Sequence, residues 1–289
     1  MLRKFFRSKA TSLLSRLGYQ LTKTGSEIPL DMRGVDDPRA FPYFSNRTLL
    51  VNVPTAWGRR CYFKLAHGED PFVTALTAAK NSADFRKTVE QYLRAYYKLV
   101  QPKDAYSWFG LAPDELLIPT KGTPMAQPRP WENFEVESRQ KAYERNMLQE
   151  NKVRGRDLDL SHGVPMYGPT SEEKLQLEAD RLTSLYERIK QEGYQRGGGR
   201  DQDISVAILE VESGEWRYII KGGGNHRAVV LAALGYERIP VRVTGIVYRK
   251  DVAVWPNVIS GMYSTVGALK VFDRMFSGEA NAGTGGVEG

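Results

Sequence analysis

The stretch "GGGNHRAVVLAALGYERIPVRV", residues 222–243, decides how the rest of the chain is read. It follows directly on "WRYII" (216–220), a short apolar run with strand character. Three glycines lead without a break into Asn225, His226 and Arg227 and an almost wholly apolar helix that stops at Gly235. Glycine lets the backbone take a positive φ and lets a ligand come close to the chain. The first turn of a helix carries free N–H groups and the positive end of the dipole, and both favour an anion. His226 and Arg227 add donors on that same turn, and a guanidinium can clamp a phosphate through two bonds. On this chemistry Gly222, Gly223, Gly224, Asn225, His226 and Arg227 read as a phosphate cradle. The alternative is a tight strand-to-helix turn with Arg227 in a structural ion pair. The spacing is neither that of a P-loop, whose Lys-Ser/Thr pair is absent, nor that of the dinucleotide fingerprint.

Working outward, "TSEEKLQLEADRLTSLYERIKQEGY" (170–194) predicts a strong helix with Leu175, Leu182, Leu185 and Ile189 on one face and Gly193 at its end. Thr170 and Glu173 fit a capping box at its start, which leaves Glu172 to complement the dipole. "DISVAILEV" (203–211) alternates as a strand, "ESGE" turns, "WRYII" returns, and "RIPVRVTGI" (238–246) supplies a last strand. A closing helix over 262–276 carries Val266, Leu269, Phe272 and Phe276.

The first half is less regular. Residues 25–50 read as irregular, and "TLLVNVPTAWGRRCYFKLA" (48–66) as two short strands about Trp57-Gly58. A helix over 82–100 has Phe85, Val89, Leu93 and Tyr96 in its apolar stripe and ends before Pro102. The proline-rich "IPTKGTPMAQPRPWENF" (118–134) reads as a connector between two units. The expected organisation is an arm over 1–24, a mixed helix-containing region over 25–135, an α/β unit over 136–248, a helical extension over 249–276 and a disordered tail over 277–289.

Composition narrows the function. At 41% hydrophobic and 11% aromatic the chain is that of a folded protein, and no apolar run is long enough to cross a bilayer. The single cysteine, Cys61, rules out an internal disulfide and reads as a buried structural thiol in a reducing compartment. Much of the net charge of +7 sits in the arm, where Arg3, Lys4, Arg7, Lys9, Arg16 and Lys23 precede the first acid, Glu27. The body is therefore nearly neutral, which disfavours nucleic acid as the main ligand. The arm itself has the pattern of a basic amphipathic helix suited to an anionic membrane surface, to a mitochondrial transit peptide, or to packing on its own domain. A cytoplasmic protein, peripheral at a membrane, is the expected location. Three histidines and scattered acids give no zinc spacing.

The order helix, strand, hairpin strand, "GGGNHRAVVLAALG", "IPVRV" resembles the ParB/sulfiredoxin superfamily over about residues 165–245. In that family a G-x-x-R turn opens a buried helix and binds nucleotide phosphates. The resemblance implies an α+β fold with a ParB/sulfiredoxin-like C-terminal domain, and phosphate contacts from Gly224, Asn225, His226 and Arg227. The sulfiredoxin cysteine is replaced here by Asn225, and only about forty residues follow Val243, too few for the helix-turn-helix of the partition proteins. Small-molecule kinases of this fold remain similar. They place a glutamate base at the start of the preceding helix, a role that would fall to Glu172 or Glu173. The loop "RGRDLDLSHGVPMYGP" (154–169) borders the family's pocket, so His162 and Tyr167 are candidate substrate contacts.

The expected function is thus a nucleotide-binding enzyme, taking ATP, ADP or CTP with Mg²⁺, that transfers a phosphoryl group to a small hydroxylated acceptor or hydrolyses the nucleotide. A nucleotide-sensing or partner-binding module without catalysis is the alternative. A ParB-like DNA-binding or nuclease protein comes third.

Overall fold

A computed structural model of the chain describes residues 29–44, 47–153, 156–196 and 202–279. The basic arm, Arg154 and the tail beyond Glu279 lie outside the described residues.

The fold is a mixed α/β arrangement about one mixed sheet. Its strands are β1 (Leu30–Asp31), β2 (Leu49–Pro54), β3 (Gly58–Arg60), β4 (Phe63–Lys64), β5 (Ile204–Glu210), β6 (Trp216–Ile220) and β7 (Arg238–Tyr248). They lie in the order β1-β2-β7-β5-β6-β3-β4. The centre forms as the alternation of "ISVAILE" and "WRYII" dictates. β5 and β6 pair as an antiparallel hairpin that turns at Gly214, whose φ is +79°. The chain then passes through α6 (Asn225–Ala233) and returns as β7, parallel to β5. Ile204, Val206, Ile208, Val241 and Val243 are withdrawn completely from water at this centre.

Strands from the first half flank that centre on both sides. β2 pairs antiparallel with β7, and β3 pairs parallel with β6. The boundary drawn at 135/136 therefore does not separate two sheets: one sheet takes strands from both halves. Pro54 and Gly58 are four peptide links apart, a reach of at most about 15 Å. In a flat sheet β2 and β3 would stand four strand spacings, roughly 19 Å, apart. The sheet has to curl for the Thr55–Trp57 corner to close. The corner is fastened on both sides, by the Thr55 N–H to the Glu237 carbonyl and by the Tyr218 hydroxyl to the Thr55 carbonyl.

Four helices pack together beside the sheet: α1 (Pro71–Ala79), α2 (Phe85–Leu99), α5 (Glu172–Glu192) and α6. Asp70 caps α1, accepting from the N–H groups of Phe72 and Val73. The same carboxylate holds the buried guanidinium of Arg60 at 2.6 and 2.9 Å, and Arg60 lies 4.2 Å from the centre of the Phe72 ring. Helix α5 is capped by Ser171, which accepts from the Lys174 N–H, so the expected Thr170–Glu173 box is corrected by one residue. Three helices lie where the sequence carries no strong periodic signal: α1, the short α3 (Ala105–Phe109), and α4 (Val136–Val153). At the C-terminus, α7 (Pro256–Ile259) precedes α8 (Thr265–Ser277), whose Phe272 is buried among Trp131 and Trp255.

The proline-rich segment is not a solvated connector. From Pro124 to Glu132 it is mostly buried, with Gln127, Arg129 and Glu132 withdrawn from water together with the prolines around them. Asn257 holds it, donating from Nδ2 to the carbonyls of Arg129 (2.7 Å) and Glu132 (2.6 Å), while the Tyr263 hydroxyl donates to the Pro128 carbonyl. Proline has no N–H to leave unpaired, so a proline-rich strap can be buried with fewer orphan donors than an ordinary loop. Composition alone does not distinguish this from a linker.

Candidate functional site

The glycine turn joins β6 to α6, and its three glycines are not equivalent. Gly224 is the residue before the helix, with φ +99°, and a Cβ there would lie 2.8 Å from the Ile204 Cα. Both facts demand glycine. Gly222 and Gly223 have neither constraint: their φ is not in the left-handed region, and a Cβ on either would meet nothing within 4 Å. Among the described residues nothing explains why these two exposed positions carry no side chain.

The backbone around them is unusually free. The Lys221 N–H bonds the Ser205 carbonyl and the Ser205 N–H bonds the Gly223 carbonyl, which pins the turn to β5. Among the described residues, none of the successive N–H groups from Gly222 to Arg227 has a backbone or side-chain acceptor. No side chain caps α6. Arg227, half-buried on the first turn, makes no hydrogen bond or ion pair among the described residues, and its Nε is shut off from solvent without a partner. Among the described residues the structural ion pair that would have explained Arg227 is thus not formed. A run of free amides, a helix N-terminus and an uncommitted guanidinium are complementary to an oxyanion.

His226 stands differently. Its Nε2 lies 2.8 Å from Oε2 of Glu178, a fully buried residue of α5. The other oxygen of Glu178 takes Lys174 and Arg181, each at 2.8 Å. Burial works to raise the Glu178 pKa, but the His226 hydrogen bond and the charges of His226, Lys174 and Arg181 outweigh it and hold the carboxyl far below its usual range. An ionised carboxylate accepts only, so Nε2 carries the proton and Nδ1 is the nitrogen left to exchange one. Asn225 makes no side-chain hydrogen bond among the described residues.

Glu178 and Lys174 are site residues that the sequence reading missed. The signal lay in the helix itself: charged residues at i and i+4 on a face that also carries buried Leu182.

The other sequence-derived candidates sit elsewhere. Glu172 and Glu173 open α5, roughly 9 Å along the axis from Glu178 at 1.5 Å per residue. Glu172 is half exposed and gripped by both terminal nitrogens of Arg94 on α2. Glu173 is exposed, with His162 Nδ1 3.8 Å from its carboxylate. His162 is nearer to the capping Ser171 hydroxyl, at 2.8 Å. Tyr167 is buried, accepts from the Met125 N–H, and packs 5.0 Å from the Trp108 ring. Glu172, Glu173 and His162 therefore gather at the start of α5, whereas Gly222 to Arg227 gather around α6. Cys61 is buried, as expected of a structural thiol, and burial raises its thiol pKa against the lowering effect of Arg129 and Arg60.

The chain matches no protein-family model, and no curated protein sequence matches it. Among the described residues no helix is long and apolar enough to cross a membrane.

Proposed function

We propose that the protein is a nucleotide-binding enzyme of ParB/sulfiredoxin-like type, which places phosphates on the turn Gly222–Arg227 and transfers a phosphoryl group to a small hydroxylated acceptor or to water. The observation that carries this reading is the run of N–H groups from Gly222 to Arg227 with no acceptor among the described residues, beside two glycines at which a Cβ would meet nothing within 4 Å. The order hairpin, glycine turn, buried helix, parallel return strand supports the family resemblance.

In this reading the amides and Arg227 hold phosphoryl oxygens, and bare glycine lets them approach. Proton handling falls to His226, oriented by Glu178, in preference to Glu172 or Glu173, because Nδ1 of His226 belongs to the same turn as the phosphate donors while Glu172 is committed to Arg94. The cradle offers amides and cations, which do not ligate Mg²⁺. The ion belongs with the nucleotide, where phosphate oxygens and water coordinate it. No step here is assigned to it.

The test is a thermal-shift panel with ATP, ADP, CTP and GTP, with and without Mg²⁺, on wild type and Arg227→Ala. A ligand at about 100 times its Kd stabilises by roughly 2.7 kcal/mol. A shift with one nucleotide, lost in Arg227→Ala, supports the site. A folded protein unmoved by every nucleotide refutes it. Binding without turnover would make the protein a nucleotide-sensing module instead.

A further inference from the structure

Residues 252–269 include no Asp, Glu, Lys, Arg or His, and neither do residues 116–120. The fold brings these two uncharged stretches together. The Leu117 N–H bonds the Met262 carbonyl at 2.8 Å, the Ile118 N–H reaches the same oxygen, and the Ser264 N–H bonds the Glu115 carbonyl. The start of α8 sits so close to Glu115 that Gly267 has no room for a Cβ. Of the seven exposed Leu, Ile and Val side chains among the described residues, five gather here: Leu117, Ile118, Val254, Ile259 and Val266. Ile259 is the most open of them, at 69%.

Exposed aliphatic side chains are normally scattered singly, and a contiguous group marks a contact surface. The composition says which kind. Protein interfaces draw their energy from Trp, Tyr and Arg, whereas Leu, Val, Ser and Thr are under-represented there. This surface shows the second set, with Ser260 and Thr265 exposed between the aliphatic side chains. A bilayer takes aliphatic side chains and penalises any backbone N–H left unpaired against it. The N–H groups of Ile259, Ser260 and Gly261 are taken by the carbonyls of Trp255, Pro256 and Val258, and those of Leu117 and Ile118 by Met262.

Charge points the same way. Lys121 and Lys270 each border one of the uncharged stretches; of the bordering acids, Glu115 is held by Lys270 and Asp251 is half-buried. The arm over residues 1–24 carries six cations and no acid. One weak apolar contact holds a protein at a membrane only marginally, and a second, basic signal makes the attachment stable.

We propose that the surface of Leu117, Ile118, Val254, Ile259 and Val266 seats in an anionic lipid bilayer, with its side chains among the acyl chains and the basic arm adding attraction to the headgroups. It lies on other elements than the turn Gly222–Arg227, and it stands whether or not that turn binds phosphate.

The experiment is co-sedimentation of the full chain with vesicles of phosphatidylcholine alone and of phosphatidylcholine with one part in about three of phosphatidylglycerol. The variants are Ile259→Asp, Val266→Asp and, as control, Val35→Asp. The control adds the same charge beside Asp36, which pairs with Arg238 at the opposite end of β7 from this surface. All three positions are exposed, and circular dichroism checks that each variant is folded. Burying one Ile or Val side chain is worth roughly tenfold or more in affinity. Preference for the anionic vesicles, weakened by about that factor in Ile259→Asp and Val266→Asp but not in Val35→Asp, establishes the surface. Binding equal to wild type in all three variants, or an equal loss in all three, assigns attachment to charge alone and overturns it. No sedimentation of folded wild type with either vesicle also overturns it. So does a wild-type dimer, seen by light scattering, that Ile259→Asp makes monomeric, since the surface is then a contact between copies.

Discussion

Glu178 Oε2 accepts from His226 Nε2 at 2.8 Å while Oε1 holds Lys174 and Arg181, so one buried carboxylate ties α5 to the first turn of α6. Lys174 and Arg181 are 1% and 9% exposed, and neither can recover its hydration if Glu178 is neutralised. Removing one partner from such a cluster costs about 3–5 kcal/mol. Glu178→Gln is expected to destabilise by that amount in urea unfolding, whereas His226→Gln leaves Glu178 both Lys174 and Arg181 and costs less.

The same group sets an acid limit. The folded-state pKa of Glu178 lies below the unfolded value of about 4.3, so its contribution is complete above that pH and is lost as the pH falls through the folded value. Stability measured from neutral pH downward should therefore decline below about pH 4. In Glu178→Gln that part of the slope is reduced. An unchanged slope would mean the carboxyl is not held down as described.

The glycines can be separated by substitution. Gly224→Ala forces a Cβ against Ile204 at a φ of +99° and is expected to cost more than 1 kcal/mol, in the range of about 1–3 for strained backbone. Gly222→Ala and Gly223→Ala meet open space and fall within about 0.5 kcal/mol of wild type. Bulkier Gly222→Val keeps the fold and blocks ligand approach. Loss of nucleotide stabilisation without loss of intrinsic stability is the expected signature, read by thermal shift.

Turnover discriminates the candidate bases. With a hydrolysable nucleotide and saturating ligand, His226→Gln should lower kcat by about 10²-fold or more, the usual worth of a positioned acid or base. Glu172→Gln removes only a half-exposed ion pair with Arg94, worth at most about 1 kcal/mol of stability. It should leave kcat near wild type. The reverse ranking would return the base to the start of α5.

Asn257 is the fastener of the strap. Asn257→Ala strips two buried carbonyls of their donor, and each orphaned group costs about 1–3 kcal/mol. Limited proteolysis should then cut between Pro124 and Glu132, a segment buried in wild type.

The centre of the fold was legible because its strands and helices repeat at the periods their burial demands: β5, β6, α5 and β7 stand where the apolar pattern put them. The turn at Gly222–Arg227 was legible for the same reason, as a chemical break between two clean periodic runs. Helix α4 was not, since "VESRQKAYERNMLQENKV" is largely polar and its few apolar residues, such as Tyr143, pack against the strap. The strap was misread because proline marks both linkers and buried irregular segments. Glu178 was overlooked because a buried acid looks in sequence like any helical glutamate, and only its three partners, His226, Lys174 and Arg181, reveal it.

The corner at Thr55–Trp57 carries a consequence for how the chain assembles. β2 borders β7 through contacts such as Arg238 to the Asn52 carbonyl, 186 residues apart, and β3 waits for β6. During synthesis the first half emerges with β1 beside β2 and β4 beside β3, and with the opposite edge of β2 and of β3 still unpaired. Loop closure over that span must precede any gain from pairing, so the topology is of the slow-folding, long-range kind. The C-terminal hairpin and its return strand act as an internal template that arrives late, and until it does the first half presents two unpaired strand edges open to the wrong partner.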